Sequence, residues 1–122
     1  MALLTVPLQD GLKVNGEPQL QAELRQLEAG DIIAASEESE KLFVHGGDPV
    51  LVVSPSLMGI NTLRRQIASI GSIPGPLEMS MMNKLSPADL DLLQTAADKL
   101  DKAVLEDVSK RGRSDPPQSD DD

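Results

Sequence analysis

The chain has 122 residues, 20 acids against 11 Lys plus Arg, and a formal charge of −9, which bounds it to one small domain. That balance argues against DNA or an anionic membrane as partner, because phosphate binding needs concentrated positive charge, and suits contact with basic or neutral protein surfaces. With 39% hydrophobic residues, Phe43 as the single aromatic and no cysteine, disulfide and thiolate chemistry are excluded, and the core must be a thin one of Leu, Ile, Val and Met that a partner or homo-oligomer would help to hold.

The opening, MALLTVPLQD, has no basic residue before a short apolar run broken by Pro7 and Asp10. No signal peptide and no transmembrane span are expected. Leu8 to Leu27 reads as a β-hairpin. Asn15-Gly16 is a strong two-residue turn signal, since both positions tolerate positive φ. Leu12 and Val14 alternate with polar residues before it, and Leu20, Ala22 and Leu24 after it. Asp31 then reads as the cap of a helix over Asp31–Leu42, with Ile32, Ile33, Ala35 and Leu42 as a weak stripe and Glu37, Glu38 and Glu40 on a solvated outer side.

Phe43-Val44 and Val50–Val53 flank His45-Gly46-Gly47-Asp48-Pro49 and predict a second hairpin with a loose loop. The β-branched run Val50–Val53 is expected to be buried. The alternative is that the helix runs on to Phe43 and leaves one strand. Ser54–Gly71 predicts a helix: Ser54 caps it, Pro55 suits its first position, and Gly71 fits its end. Leu57, Ile60, Leu63, Ile67 and Ile70 recur at steps of three and four, and Arg64 and Arg65 fall off that stripe toward solvent. Ile73 to Leu77 must be extended around Pro74-Gly75-Pro76. Glu78–Leu85 reads as a short helix whose Met79, Met81 and Met82 either fill core gaps or form a binding patch.

Ser86-Pro87-Ala88-Asp89 opens the last helix with a Ser cap, Pro at the first position and an acid at the third. Leu90, Leu93, Ala97, Leu100, Val104 and Val108 make one stripe, expected to pack on the Ser54–Gly71 helix. Leu92, Ala96 and Ala103 make a shallower second strip, either partly buried or in contact with another chain. From residue 109 to Asp122 the chain has no apolar side chain and two prolines, and a disordered charged tail is expected; its terminal acids read as solvating and not as an ion site.

Convergent chemistry is thin. A Ser–His–Asp arrangement would have to use His45, the one histidine, at a loop tip with nothing to orient it. The usual zinc ligand sets are missing from the sequence, and Gly46-Gly47 lacks the Lys and Ser/Thr of a phosphate loop. Asp89 and Asp91 read as acids favoured by the helix dipole. No catalytic residue, metal or cofactor is expected, and a protein-binding role is.

The order Asp10-Gly11-Leu12-Lys13-Val14-Asn15-Gly16, Leu27-Glu28-Ala29-Gly30-Asp31, Ser54-Pro55-Ser56-Leu57-Met58-Gly59 with Leu63-Arg64-Arg65-Gln66-Ile67, Gly75-Pro76-Leu77 and Leu85-Ser86-Pro87-Ala88-Asp89-Leu90-Asp91-Leu92-Leu93-Gln94 resembles the small tail assembly chaperones of Mu-like tailed bacteriophages. The likeness runs from about Asp10 to Leu105 and transfers no catalytic residue. It implies a non-enzymatic factor of the host cell cytoplasm that binds the tape measure protein, keeps its long helices soluble, helps recruit tail tube subunits and is absent from the finished particle. Many members of such families are made in two lengths by a translational frameshift.

The expectation is therefore an α+β domain over 1–108: an N-terminal β-hairpin region, then a small helical bundle of Asp31–Leu42, Ser54–Gly71 and Ser86–Val108. Its expected partner contacts are Leu77, Met79, Met81, Met82, Leu92 and Ala96. The rival function is an acidic decoy that occupies a host nucleic-acid-binding protein, motivated by the −9 charge.

Overall fold

A computed structural model describes the backbone of residues 3–112 and the side chains of residues 4–103. In chain order the elements are β1 (Leu3–Val14), β2 (Glu17–Arg25), α1 (Ala29–Glu38), β3 (Glu40–His45), β4 (Asp48–Val53), α2 (Pro55–Gln66), β5 (Ile67–Ile70), β6 (Ile73–Pro74), α3 (Met79–Met82) and α4 (Pro87–Gly112). The chain is α+β, with its hairpin first. Among the described residues no helix is long and apolar enough to cross a membrane.

Asn15 and Gly16 turn the first hairpin, with φ of 52° and 83°. Both angles are positive, as the twist of a tight two-residue hairpin demands. Between the pairs Pro7–Gln21 and Leu12–Gln19, β1 advances five residues while β2 advances two. The surplus bulges out of the ladder and turns its backbone away from β2. Gly11 makes the bend at φ 68°, where a Cβ would run into the Gln19 carbonyl.

The N–H groups freed by that bulge meet one side chain. Asp89 Oδ1 accepts from Gln9 N at 2.7 Å, and Oδ2 accepts from Asp10 N at 3.0 Å and Gly11 N at 2.8 Å. Asp89 is fully buried. The sequence marks it as a first-turn acid of the last helix, and Ser86 does cap that helix, its Oγ accepting from Asp89 N at 3.1 Å. Asp89 is the first-turn acid expected, and its carboxylate in addition fixes α4 to β1. Burial pushes its carboxyl up, but three backbone donors and the Ser86 hydroxyl outweigh this and hold it below the ordinary carboxylate range.

The sheet has the order β1-β2-β5-β6, antiparallel throughout. Its core residues are Val6, Leu8 and Leu12 of β1, Ala22 and Leu24 of β2, and Ile67 and Ile70 of β5. Leu93, Ala97 and Leu100 of α4 and Leu63 of α2 cover them. The expected helix Ser54–Gly71 is thus shorter. Ser54 caps it and Pro55 opens it, but it ends at Gln66, and Ile67 to Ile70 form a strand. Ile67 lies opposite Leu24 and Ile70 opposite Ala22. The spacing of 67 and 70 fits a helix stripe, yet β2 needs a second neighbour and β-branched residues suit that role. Gly71, at φ 57°, serves the β5–β6 turn, its N–H donating to the Gln21 carbonyl at 2.8 Å.

The stripe of α4 consequently packs on the sheet through β1, and not mainly along α2. α2 and α4 instead face each other across a cleft of about 290 Å³. They are linked where Gln66 Nε2 donates to Asp101 Oδ1 at 3.0 Å. α4 continues to Gly112, past the expected end at Val108. The side chains of Val104 and Val108, and the rest of the expected tail from Arg113, lie outside the described residues.

Asp89→Asn should lower unfolding stability by about 3 kcal/mol in urea titration, because an amide can neither satisfy three donors nor carry the charge that strengthens them. A carboxyl whose folded pKa lies below its unfolded one stabilises the fold above the unfolded pKa and loses that contribution as pH falls through the folded one. The wild-type melting temperature should therefore drop on acidification below the ordinary carboxylate pKa, with a shallower drop in Asp89→Asn.

Candidate interaction surface

Two adjacent glycines with positive φ set the geometry of the second hairpin. Gly46 and Gly47 sit at φ 61° and 88° and make a two-residue turn, tight where a loose loop was expected. Six pairs follow, from His45–Asp48 to Glu40–Val53. The helix from Asp31 does not run to Phe43; α1 stops at Glu38. In this register one face carries Leu42, Val44, Pro49, Leu51 and Val53, and the other carries Phe43, Val50 and Val52.

Every residue of β3 and β4 is exposed. Leu42 is 64% exposed, Phe43 52%, Val44 74% and Leu51 63%. The run Val50–Val53, expected inside, is outside. The larger sheet runs β1-β2-β5-β6, and the hairpin pairs with none of its strands but forms a separate two-stranded sheet. A two-stranded ribbon is marginal by itself, and one apolar on both faces has nothing of its own to cover it.

The root of the ribbon is held firmly. Ser39 Oγ donates to the Ala35 carbonyl at 2.6 Å, and Asn61 Nδ2 donates to Ser39 Oγ at 2.9 Å. Arg64 Nε donates to Asn61 Oδ1 at 3.0 Å and Arg64 Nη1 to the Leu77 carbonyl at 2.9 Å. Ser54 N closes the ribbon on the Ser39 carbonyl at 2.9 Å. Ser39 and Asn61 are buried, where unmade hydrogen bonds are costly, so the chain of bonds fixes where the ribbon leaves the body.

Charge reinforces this anchor. Arg64 and Arg65, expected to face solvent, are half-buried and grip Glu38: Arg64 Nη2 lies 2.8 Å from Glu38 Oε1, and Arg65 Nη2 bonds Oε2. The Arg65 hydrogen bond, with help from Arg64, holds the Glu38 carboxyl below its ordinary range despite partial desolvation. At the other end of α1, Asp31 is not the cap. Glu28 is the cap residue, and Asp31 at the third position accepts from Glu28 N at 2.8 Å. Arg25 also grips Asp31 with two bonds of 2.9 and 2.7 Å, and that contact leads in holding its carboxyl low.

The residues read as partner contacts fall in three places. Leu77 and Met82 are buried and consumed by the core. Met79 and Met81 are half-buried against it, Met79 lining a cleft of about 250 Å³ with Ile60, Leu85 and Leu90. Leu92 and Ala96 are half-buried and share a groove of about 390 Å³ with Leu4–Pro7 of β1 and Lys99. The sequence reading missed Leu42, Phe43, Val44 and Leu51 as surface. Their signal was present: apolar residues at consecutive positions of both strands, a pattern equally consistent with a doubly buried strand. His45 stands exposed at the tip, opposite Asp48 in the register.

Comparison with known proteins adds a family. The profile of a family described as tail assembly protein gp41 matches residues 8–113. The "Probable tail assembly protein gp41" of Escherichia phage Mu is 46% identical over 111 residues, covering 87% of this chain and 77% of that protein. The same phage's "Probable tail assembly protein FS-gp41" is 45% identical over 107 residues, 84% of this chain and 57% of its own length. The "Mu-like prophage FluMu protein gp41" of Haemophilus influenzae is 39% identical over 109 residues, 88% of this chain and 86% of that protein. No solved structure matches.

Because the ribbon is surface, replacing its apolar pair Leu42–Leu51 by Leu42→Lys with Leu51→Glu should cost below about 1 kcal/mol of unfolding stability in dilute solution. Leu93→Ala in the core should cost about 3 kcal/mol. The ribbon variant should also bind an apolar fluorescent dye more weakly than the wild type.

Proposed function

The chain belongs to the tail assembly protein gp41 family, and on that premise we propose that it is a tail assembly chaperone. In this reading it binds the tape measure protein and helps recruit tail tube subunits in the host cytoplasm. It is not an enzyme and uses no cofactor. The observation that carries the reading is the ribbon of β3 and β4, apolar on both faces, open to solvent and fixed at its root.

The physics of the task favours such a device. A long helical protein without its final partners exposes apolar stripes that drive aggregation. A broad apolar ribbon lets the stripe of an amphipathic helix lie along it, with contact by burial and not by a fixed set of polar partners. The chain's −9 charge keeps the joint particle in solution. The groove beside Leu92 and Ala96, and the half-buried Met79 and Met81, are secondary contact ground for the same partner.

The test is co-expression with the tape measure protein of the same phage. The soluble fraction of that protein should rise several-fold with the wild-type chain and fall back with Leu42→Lys/Leu51→Glu. Leu92→Glu should have a smaller effect. A partner equally insoluble with and without the wild-type chain ends the chaperone reading.

A further inference from the structure

The two long edges of the ribbon are not equivalent. In a two-residue hairpin of this turn type the closing pair, His45–Asp48, is the hydrogen-bonded kind. Alternation then makes Phe43–Val50 and Lys41–Val52 hydrogen-bonded pairs as well. The bond from Ser54 N to the Ser39 carbonyl falls in this phase, two residues below Lys41 and two beyond Val52. The backbone groups of Glu40, Leu42 and Val44 on β3, and of Pro49, Leu51 and Val53 on β4, therefore point outward.

Pro49 has no N–H to offer. Its place on the outward side of β4 costs the hairpin nothing and blunts that edge against further pairing. β3 carries three outward donors and three outward acceptors, with no proline and no bulge. One blunt edge and one open edge limit growth: open meets open, and the assembly closes with two chains related by a two-fold axis.

We propose that β3 pairs antiparallel with β3 of a second copy, joining two chains through a four-stranded ribbon. Electrostatics selects this arrangement. A chain of charge −9 resists its own kind, but the ribbon carries only Glu40, Lys41, His45 and Asp48 among its charged or titratable residues. Antiparallel pairing sends the two acidic bodies to opposite ends, apart by about the length of six strand residues, ~20 Å, against a screening length of ~8 Å at physiological salt. The joined ribbon keeps both apolar faces, now twice as wide. The pairing does not depend on which tail component those faces receive.

The test uses the full chain in sedimentation equilibrium. The wild type should be a closed dimer. Val44→Pro, which deletes an outward N–H of β3 opposite Pro49, should weaken association roughly 10- to 100-fold. Leu51→Pro, the same change on the outward side of β4, should leave association within about threefold, and so controls for proline strain in the hairpin. Because the chain has no cysteine, a nitroxide on His45→Cys marks one site per copy, and pairing through β3 puts the labels ~10–25 Å apart. A monomer at ~100 µM, a dimer indifferent to Val44→Pro, polymers that grow with concentration, or labels more than ~40 Å apart would each overturn the proposal. A dimer that fails to solubilise the tail protein would leave it standing and count against the chaperone reading alone.

Discussion

One buried carboxylate decides how this molecule is put together. Asp89 receives three consecutive N–H groups of β1, and only a strand that bulges can present three in a row to one side. The interaction joins residues some 80 positions apart. It sets α4 across the start of the sheet, and the apolar stripe of Leu93, Ala97 and Leu100 follows, because those residues share a helix face with the anchored end. Burying a charge is expensive, and the cost is offset here by donors the bulge would otherwise leave unpaired. Bulge and carboxylate each make sense only with the other.

With α4 committed to β1, and β5 and β6 completing the sheet on the far side, the second hairpin is left outside. Its composition would suit an interior, yet every residue of its two strands is exposed. What keeps it in place is polar: the chain Ala35–Ser39–Asn61–Arg64–Leu77 and the grip of two arginines on Glu38. The molecule thus divides its work. A small core without an aromatic side chain supplies stability, and an apolar ribbon held at its root by hydrogen bonds supplies contact.

The sequence disclosed what is local. Asn15-Gly16, Ser54-Pro55 and Ser86-Pro87 mark a turn and two helix starts because each acts through its own backbone within a few residues. It concealed what depends on distant partners. Ile67 and Ile70 fit a helix stripe by spacing, and only the vacancy beside β2 makes them a strand. Asp89 satisfies every rule for a first-turn acid, and nothing nearby reveals a bulge at Gln9–Gly11. The pattern of Val50–Val53 gives a strand correctly, but exposure is a property of the whole packing and not of the run itself. The methionines illustrate the same limit: Met82 is enclosed while Met79 and Met81 stay half open, though the three are near neighbours in sequence.

The bulge of β1 carries a consequence for how the gene can vary. Segments that loop out at a surface usually tolerate added or lost codons. Here the surplus length is what brings three amides into line, so a single-codon deletion between Gln9 and Gly11 would leave Asp89 with too few donors and tilt the long helix off its seat. Relatives should drift in the identity of Gln9, whose side chain faces water, while holding the number of residues there constant.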